Sequence, residues 1–261
     1  MDKPLRIIPV LFIKNGLIVR SKNFNFHQII GNVIEQAKRL SNWNVDELIY
    51  IDISRNEKYD LGRDDLSVKS LDNIKDIIDE ISKSCFMPLT FGGKIRNVKN
   101  AVNLIRWGAD KITINTLLLD NKNEVKSIIK NLGSQAVVAS VDYQYLNNEF
   151  YICRNFGKET TNIKLKDFLK EIEDLGVGEV FLQNVKNDGS AKGFDISIEN
   201  QISFLTIPVI LCSGAGNEDH FVDASKVKNL SALAAGNYFN FKELSYPNIK
   251  KKLTKANIFV R

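Results

Sequence analysis

The chain has 261 residues, 44% of them hydrophobic and 26% charged, with a formal net charge of +5. These shares are ordinary for a folded globular domain and exclude a disordered, collagenous or coiled-coil chain. The mild basic excess suits anionic small molecules rather than nucleic acid. No apolar run reaches the roughly 18–20 residues of a membrane helix, and the first apolar run ends at Lys14 without a leader pattern, so a cytoplasmic protein is expected.

Short runs rich in Ile, Val and Leu alternate with longer amphipathic stretches. Strands are predicted at 7–13, 47–53, 86–91, 111–115, 136–142, 179–185, 207–212 and 232–235. Helices are predicted between them, among others at 98–107, 123–132, 166–175 and 220–227. Nearly continuous apolar strands separated by helices are the pattern of buried parallel strands in βαβ units. Eight such units predict an α/β protein, a (β/α)8 TIM barrel. No Gly-x-Gly-x-x-Gly follows the first strand, which argues against an open doubly wound sheet. An internal repeat is visible as well. Val45-Asp46-Glu47-Leu48-Ile49 has its counterpart in Val177-Gly178-Glu179-Val180-Phe181, and Met87-Pro88-Leu89 in Ile207-Pro208-Val209. Two similar half-barrels account for both. No Pro/Gly-rich linker separates the halves, so one barrel domain over 1–261 is expected, with a small hairpin insertion at 147–157.

The residues with chemistry fall at the strand ends. Cys85, Cys153 and Cys212 are far apart, and His27 and His220 are the only histidines, so neither a metal nor a cofactor is expected. Lys250-Lys251-Lys252 is expected to be a solvated helix face. In a barrel, ligands bind at the C-terminal strand ends. Gly92-Gly93 follows the third strand and Asn115-Thr116 the fourth. Asn187-Asp188-Gly189 follows the sixth, Ser213-Gly214 the seventh and Gly236 the eighth. Glycine lets backbone N–H groups approach an anion. Two such sites at matching positions of a repeat suit a long ligand with a phosphate at each end; tight turns without a ligand are the competing reading. Asp142 ends the fifth strand and is the candidate general acid–base group. Its half-barrel counterpart is Phe12, which cannot transfer a proton. Asp52, ending the second strand, is either a further candidate or a structural group. Arg6, Glu47, Lys111 and Glu179 sit at strand starts, where they form either a neutral ring of ion pairs or four solvated strand ends.

Arg6-Ile7-Ile8-Pro9-Val10-Leu11, Phe91-Gly92-Gly93-Lys94-Ile95, Gly108-Ala109-Asp110-Lys111-Ile112-Thr113-Ile114-Asn115-Thr116, Gly133-Ser134-Gln135-Ala136, Asn187-Asp188-Gly189 and Gly193-Phe194-Asp195 resemble the HisF family, the cyclase subunit of imidazole glycerol phosphate synthase. The resemblance implies a two-fold repeated barrel with a glutaminase, HisH, on its N-terminal face. Ammonia then passes through the barrel to a bisphosphate substrate on the C-terminal face, where two aspartates close the ring. Carried over by position, it makes Arg6, Glu47, Lys111 and Glu179 an ammonia gate. It makes Gly92, Asn115, Thr116, Asp188, Gly189, Gly214 and Gly236 phosphate-binding, beside Gly93 of the same turn, and it makes Asp142 catalytic. The family's first aspartate falls on Phe12 and a third acidic position on Lys186. The flexible loop that closes over substrate falls on Ser21-Lys22-Asn23-Phe24-Asn25-Phe26-His27-Gln28, which lacks the family's acidic elements. Val45-Asp46-Glu47-Leu48-Ile49, Cys85-Phe86-Met87-Pro88 and Ser245-Tyr246-Pro247 look most like divergent paralogues from surface-polysaccharide gene clusters. That branch implies a barrel subunit receiving ammonia from a HisH-like glutaminase, in a heterodimer, for amidino-sugar synthesis. An ATP-using amidotransferase and a phosphorylated small-molecule or nucleotide-sugar ligand are the further partners it implies. A histidine-pathway cyclase and a non-catalytic scaffold or phosphate-ligand sensor are the alternatives.

Overall fold

The computed structural model describes residues 3–56, 58–59, 71, 73–83 and 85–261. In chain order the strands are β1 (Arg6–Lys14), β2 (Leu17–Lys22), β3 (Phe26–Asn32), β4 (Leu48–Asp52), β5 (Leu89–Gly92), β6 (Lys111–Ile114), β7 (Val137–Leu146), β8 (Glu149–Arg154), β9 (Glu159–Lys164), β10 (Glu179–Asn184), β11 (Val209–Cys212) and β12 (Ala232–Ala235). The helices are α1 (Val33–Asn42), α2 (Ile74–Ser82), α3 (Val98–Trp107), α4 (Thr116–Asp120), α5 (Lys122–Leu132), α6 (Leu165–Leu175), α7 (Glu199–Ile202), α8 (Glu218–Ala224), α9 (Asn237–Phe241) and α10 (Ser245–Lys255).

Strands β1, β4, β5, β6, β7, β10, β11 and β12 pair in parallel in that order, and β12 returns to β1. This closes a (β/α)8 TIM barrel. Strand alternation divides its apolar residues into two sets. Ile7, Leu11, Leu48, Tyr50, Leu89, Phe91, Val180 and Leu182 pack outward against the helices in the main core. Ile8, Val10, Phe12, Ile49, Val138, Phe181, Ile210, Cys212, Ala232 and Ala234 form a separate cluster inside the barrel. The strands are thus buried on both faces, which is why they read as near-continuous apolar runs. Asparagine starts many of the helices: the side chains of Asn32, Asn73, Asn97, Asn121 and Asn217 accept hydrogen bonds from first-turn N–H groups of α1, α2, α3, α5 and α8.

Two antiparallel meanders rise from the C-terminal end of the barrel. In the first, β1 turns at Asn15-Gly16 into β2, which pairs with β3. Both turn residues have positive φ, the geometry favoured for two-residue hairpins. The segment 21–28, expected as a loop, therefore lies mostly in paired strands. In the second, β7 runs past the barrel and pairs with β8, which pairs with β9.

Three local expectations are corrected. The strand expected from Phe86 starts at Leu89, and Phe86 is 91% exposed at the N-terminal end. The helix expected at 220–227 is α8, set earlier by its Asn217 cap. Lys250 is not a solvated member of a basic run: its Nζ lies 2.6 Å from Asp46 Oδ2. Asp46 also accepts the Ile7 N–H at 2.8 Å, so this pair ties α10 to the foot of the barrel.

Candidate functional site

At the N-terminal end of the barrel the four strand-start charges meet. Arg6 Nη1 lies 2.7 Å from Glu47 Oε1, and Arg6 Nη2 pairs with Glu179. Lys111 Nζ is 2.9 Å from Glu179 Oε2 and 3.6 Å from Glu47 Oε2. Arg261 joins from outside, 3.5 Å from Glu47. Burial lowers the Arg6 pKa, and Glu179 followed by Glu47 more than reverses this, so Arg6 ends above its ordinary value. Of the two readings left open by the sequence, the geometry is the ring.

Above the ring, alternation carries the side chains up the lumen. Counting by twos from Lys111 reaches Thr113 and Asn115; from Glu179 it reaches Phe181 and Gln183; from Val138 it reaches Ser140 and Asp142. One side of the lumen is polar as a result, while the side formed by β12, β1 and β4 is apolar. Gln183 Nε2 donates to Ser140 Oγ and to Asp142 Oδ1, both at 3.2 Å. Thr113 Oγ1 is buried with no hydrogen-bond partner among the described residues. A polar atom held this way typically costs about 1–3 kcal/mol, so its presence calls for a compensating use. Thr113, Ser140 and Gln183 were not singled out from the sequence. The spacing of two from the charged strand starts was the signal available for Thr113 and Gln183, and the spacing of two from Asp142 for Ser140.

Asp142 ends this polar side, buried at the C-terminal end of the barrel. Burial raises its carboxyl to about 7, against the lowering effect of the Asn115 side chain. A carboxyl that titrates near neutrality can take or give a proton under working conditions. Phe12 stands on β1 where the half-barrel symmetry puts Asp142 on β7. Its ring meets Phe24 of the first meander edge-on, centroids 6.2 Å apart, and Phe24 packs on Cys153 and Val185. These four side chains make an apolar plug at the top of the lumen. Asp52 is held in place: Lys94 Nζ lies 2.9 Å from it, Tyr59 donates to it at 3.0 Å and the Ser54 N–H at 2.8 Å. With two cationic or hydroxyl donors and a backbone donor already on it, Asp52 is a structural group. Lys186 reaches outward, its Nζ 3.4 Å from the Tyr145 carbonyl.

The glycine-bearing turns fall into two groups. Gly92, Gly93, Asn115 and Thr116 stand at the ends of the neighbouring strands β5 and β6. Asp188, Gly189, Gly214 and Gly236 stand at the ends of β10, β11 and β12. Backbone packing already requires two of the glycines. Gly93 (φ 100°) and Gly214 (φ 96°) leave no room for a Cβ, which would fall 2.1 Å from the Asp52 carbonyl oxygen and 2.0 Å from that of Gly193. Asp188 has a partner that sequence alone did not reveal. Its Oδ2 accepts from Ser21 Oγ at 2.7 Å and from the Phe24 N–H at 3.0 Å, so it latches the first meander across the barrel mouth. Burial raises the Asp188 carboxyl, and these two donors oppose the rise.

A closed barrel with this charge ring at one end and paired glycine turns at the other fits one class. Residues 6–245 match the family described as "Histidine biosynthesis protein". The imidazole glycerol phosphate synthase subunit HisF of Hydrogenobaculum sp. (strain Y04AAS1) is 32% identical over 98% of each chain. The same subunit from Staphylococcus saprophyticus is 34% identical over 98% of each chain, and that from Thermotoga sp. (strain RQ2) is 33% identical over 98% of this chain and 97% of its own. The chain belongs to the HisF family.

Proposed function

We propose that the chain is the barrel subunit of a cytoplasmic glutamine amidotransferase pair. A HisH-like glutaminase docks on the face carrying Arg6, Glu47, Lys111 and Glu179, and ammonia crosses the lumen to an acceptor at the opposite end. The observation that carries this reading is the polar side of the lumen, which runs from the Lys111–Glu179 pair past Thr113, Ser140 and Gln183 to Asp142. Ammonia is small and both donates and accepts hydrogen bonds. It can pair in passing with the otherwise unpaired Thr113 hydroxyl and arrive beside a carboxyl able to exchange its proton. A ring of charges is no obvious route to stability, because desolvation offsets the Coulomb gain. Retention of all four charges is therefore better explained by use at this face.

Two acceptors are proposed. The names of the relatives favour ring closure in imidazole glycerol phosphate synthase, with Gly92, Gly93, Asn115 and Thr116 on one phosphate and Asp188, Gly189, Gly214 and Gly236 on the other. The top of the lumen favours a different acceptor, a phosphorylated or nucleotide-linked sugar that becomes an amidino sugar with the help of an ATP-using amidotransferase. Phe12 puts an apolar ring where the family's chemistry uses a carboxylate, and loss of a general acid or base costs about 10²–10⁴ in rate. Ammonia-dependent turnover of the bisphosphate substrate by the purified chain decides between them. A rate close to that of intact HisF establishes the cyclase; a rate at least a hundredfold lower, with glutaminase stimulation intact, supports the sugar acceptor.

A further inference from the structure

Between the two meanders, on the outer side of the Phe12–Phe24 plug, lies a cleft of about 410 Å³. None of the residues assigned above to phosphate lines it, although its lining residue Phe24 donates its N–H to Asp188 at 3.0 Å. Lys14 and Arg55 reach it from the ends of β1 and β4, His27 from β3, and Lys158 from the turn between β8 and β9. No acidic side chain lines it among the described residues. Lys14, Arg55 and Lys158 make no ion pair with a described acidic residue, although the other face of the barrel pairs its charges closely. Burial, then Lys14 and Lys158, lower the His27 pKa, with Asp188 opposing. The two lysines thus disfavour a proton on His27 across the cleft. Like charges gathered with no acidic side chain among the described lining residues produce a positive field that an anion would relieve.

The cleft also has an aromatic wall, and the backbone is strained to supply it. The β2–β3 turn places Asn23 and Phe24 at φ 53° and 53°, and the β8–β9 turn places Asn155 and Phe156 at φ 52° and 57°. Asn is at home in the left-handed region; phenylalanine is not. Two turns on different meanders thus repeat the same disfavoured Asn-Phe choice, and both rings line the same cleft. Phe24 is consumed by the plug. Phe156 remains 47% exposed, with a free face. Strain kept at two places around one cleft points to a use for the rings there.

We propose that this cleft binds a nucleoside diphosphate, its diphosphate among Lys14, Arg55 and Lys158 and its base stacked on Phe156. A diphosphate brings on the order of three negative charges at neutral pH, matched to the cations present. A planar base gains from stacking on an exposed phenyl ring. As the place where an amidotransferase acceptor is held, the cleft rests on the function proposed above; binding itself is measured without that function, so the two fail separately.

The test is calorimetric titration of the full chain with UDP, ADP and inorganic pyrophosphate. Both nucleotides are expected to bind more tightly than pyrophosphate. Joint Lys14→Gln and Lys158→Gln should weaken all three by tenfold or more, and raising the salt concentration should do likewise. Phe156→Ser removes the ring and should bring the nucleotides down to the affinity of pyrophosphate while leaving pyrophosphate unchanged. An unaltered melting temperature in each variant excludes unfolding as the cause. The proposal is overturned if none of the three ligands binds. It is equally overturned if the double variant binds like the parent, which would put the anion on the glycine turns, or if Phe156→Ser leaves the nucleotide preference intact. Glutaminase stimulation that survives any of these results would leave the ammonia route standing without this cleft.

Discussion

Asp142 carries a proton whose release depends on the fold. The unfolded chain ionises an aspartate near 3.8, whereas burial holds Asp142 to about 7. Below pH 4 both states keep the proton and Asp142 costs nothing. From pH 4 to 7 the unfolded chain releases it and the folded chain does not, so stability falls as pH rises; above 7 the loss is complete, on the order of 4 kcal/mol. Asp142→Asn should therefore melt above the parent at pH 8, with the gap closing toward pH 4. Calorimetry at a series of pH values checks this, and a gap independent of pH would contradict it. Phe12 belongs to the plug, and Phe12→Ala should cost about 3–4 kcal/mol in a denaturant titration, with Phe12→Leu recovering most of it. The contrast between these residues was legible in the sequence because the half-barrel repeat aligns them. Thr113 and Gln183 were harder to see: which face of a strand turned inward became clear only when the helices were seen to cover the other.

The two meanders show where sequence reading stops at the level of elements. Barrel strands announce themselves because both faces are buried. Among the described strands β3 pairs only with β2, buries none of its residues fully, and carries Phe26-His27-Gln28-Ile29 with no clean alternation. Nothing in that pattern distinguishes it from a loop, whereas the Asn15-Gly16 turn before β2 is a readable hairpin signal. The opposite error arose at Phe86-Met87-Pro88, which was expected to open a strand but lies outside the sheet at the N-terminal end. What holds the first meander down is the Asp188 latch to Ser21 and the Phe24 N–H. Asp188→Ala should cost about 1–3 kcal/mol and speed hydrogen exchange at the Phe24 amide. Exchange at Phe24 no faster than in the parent would show that the plug alone holds the meander.

Across the whole molecule, the barrel separates a charged face from a face of glycine turns and a basic cleft. The four ring residues were legible as strand-start charges; their convergence was not, since it depends on closure of the sheet. Because Arg6 and Arg261 still neutralise Glu47 after Lys111 is removed, and the ring is partly open to solvent, Lys111→Ala should lower stability by only about 1 kcal/mol. The variant is therefore suited to a functional test in the folded protein. The most direct measurement is a titration of the chain against its HisH-like glutaminase, reading binding and the rate of glutamine hydrolysis for parent and Lys111→Ala. We expect a complex in which the parent stimulates hydrolysis and Lys111→Ala uncouples that rate from use of the ammonia. A chain that neither binds nor stimulates the glutaminase, with Lys111→Ala indistinguishable from the parent, would contradict passage of ammonia through this barrel.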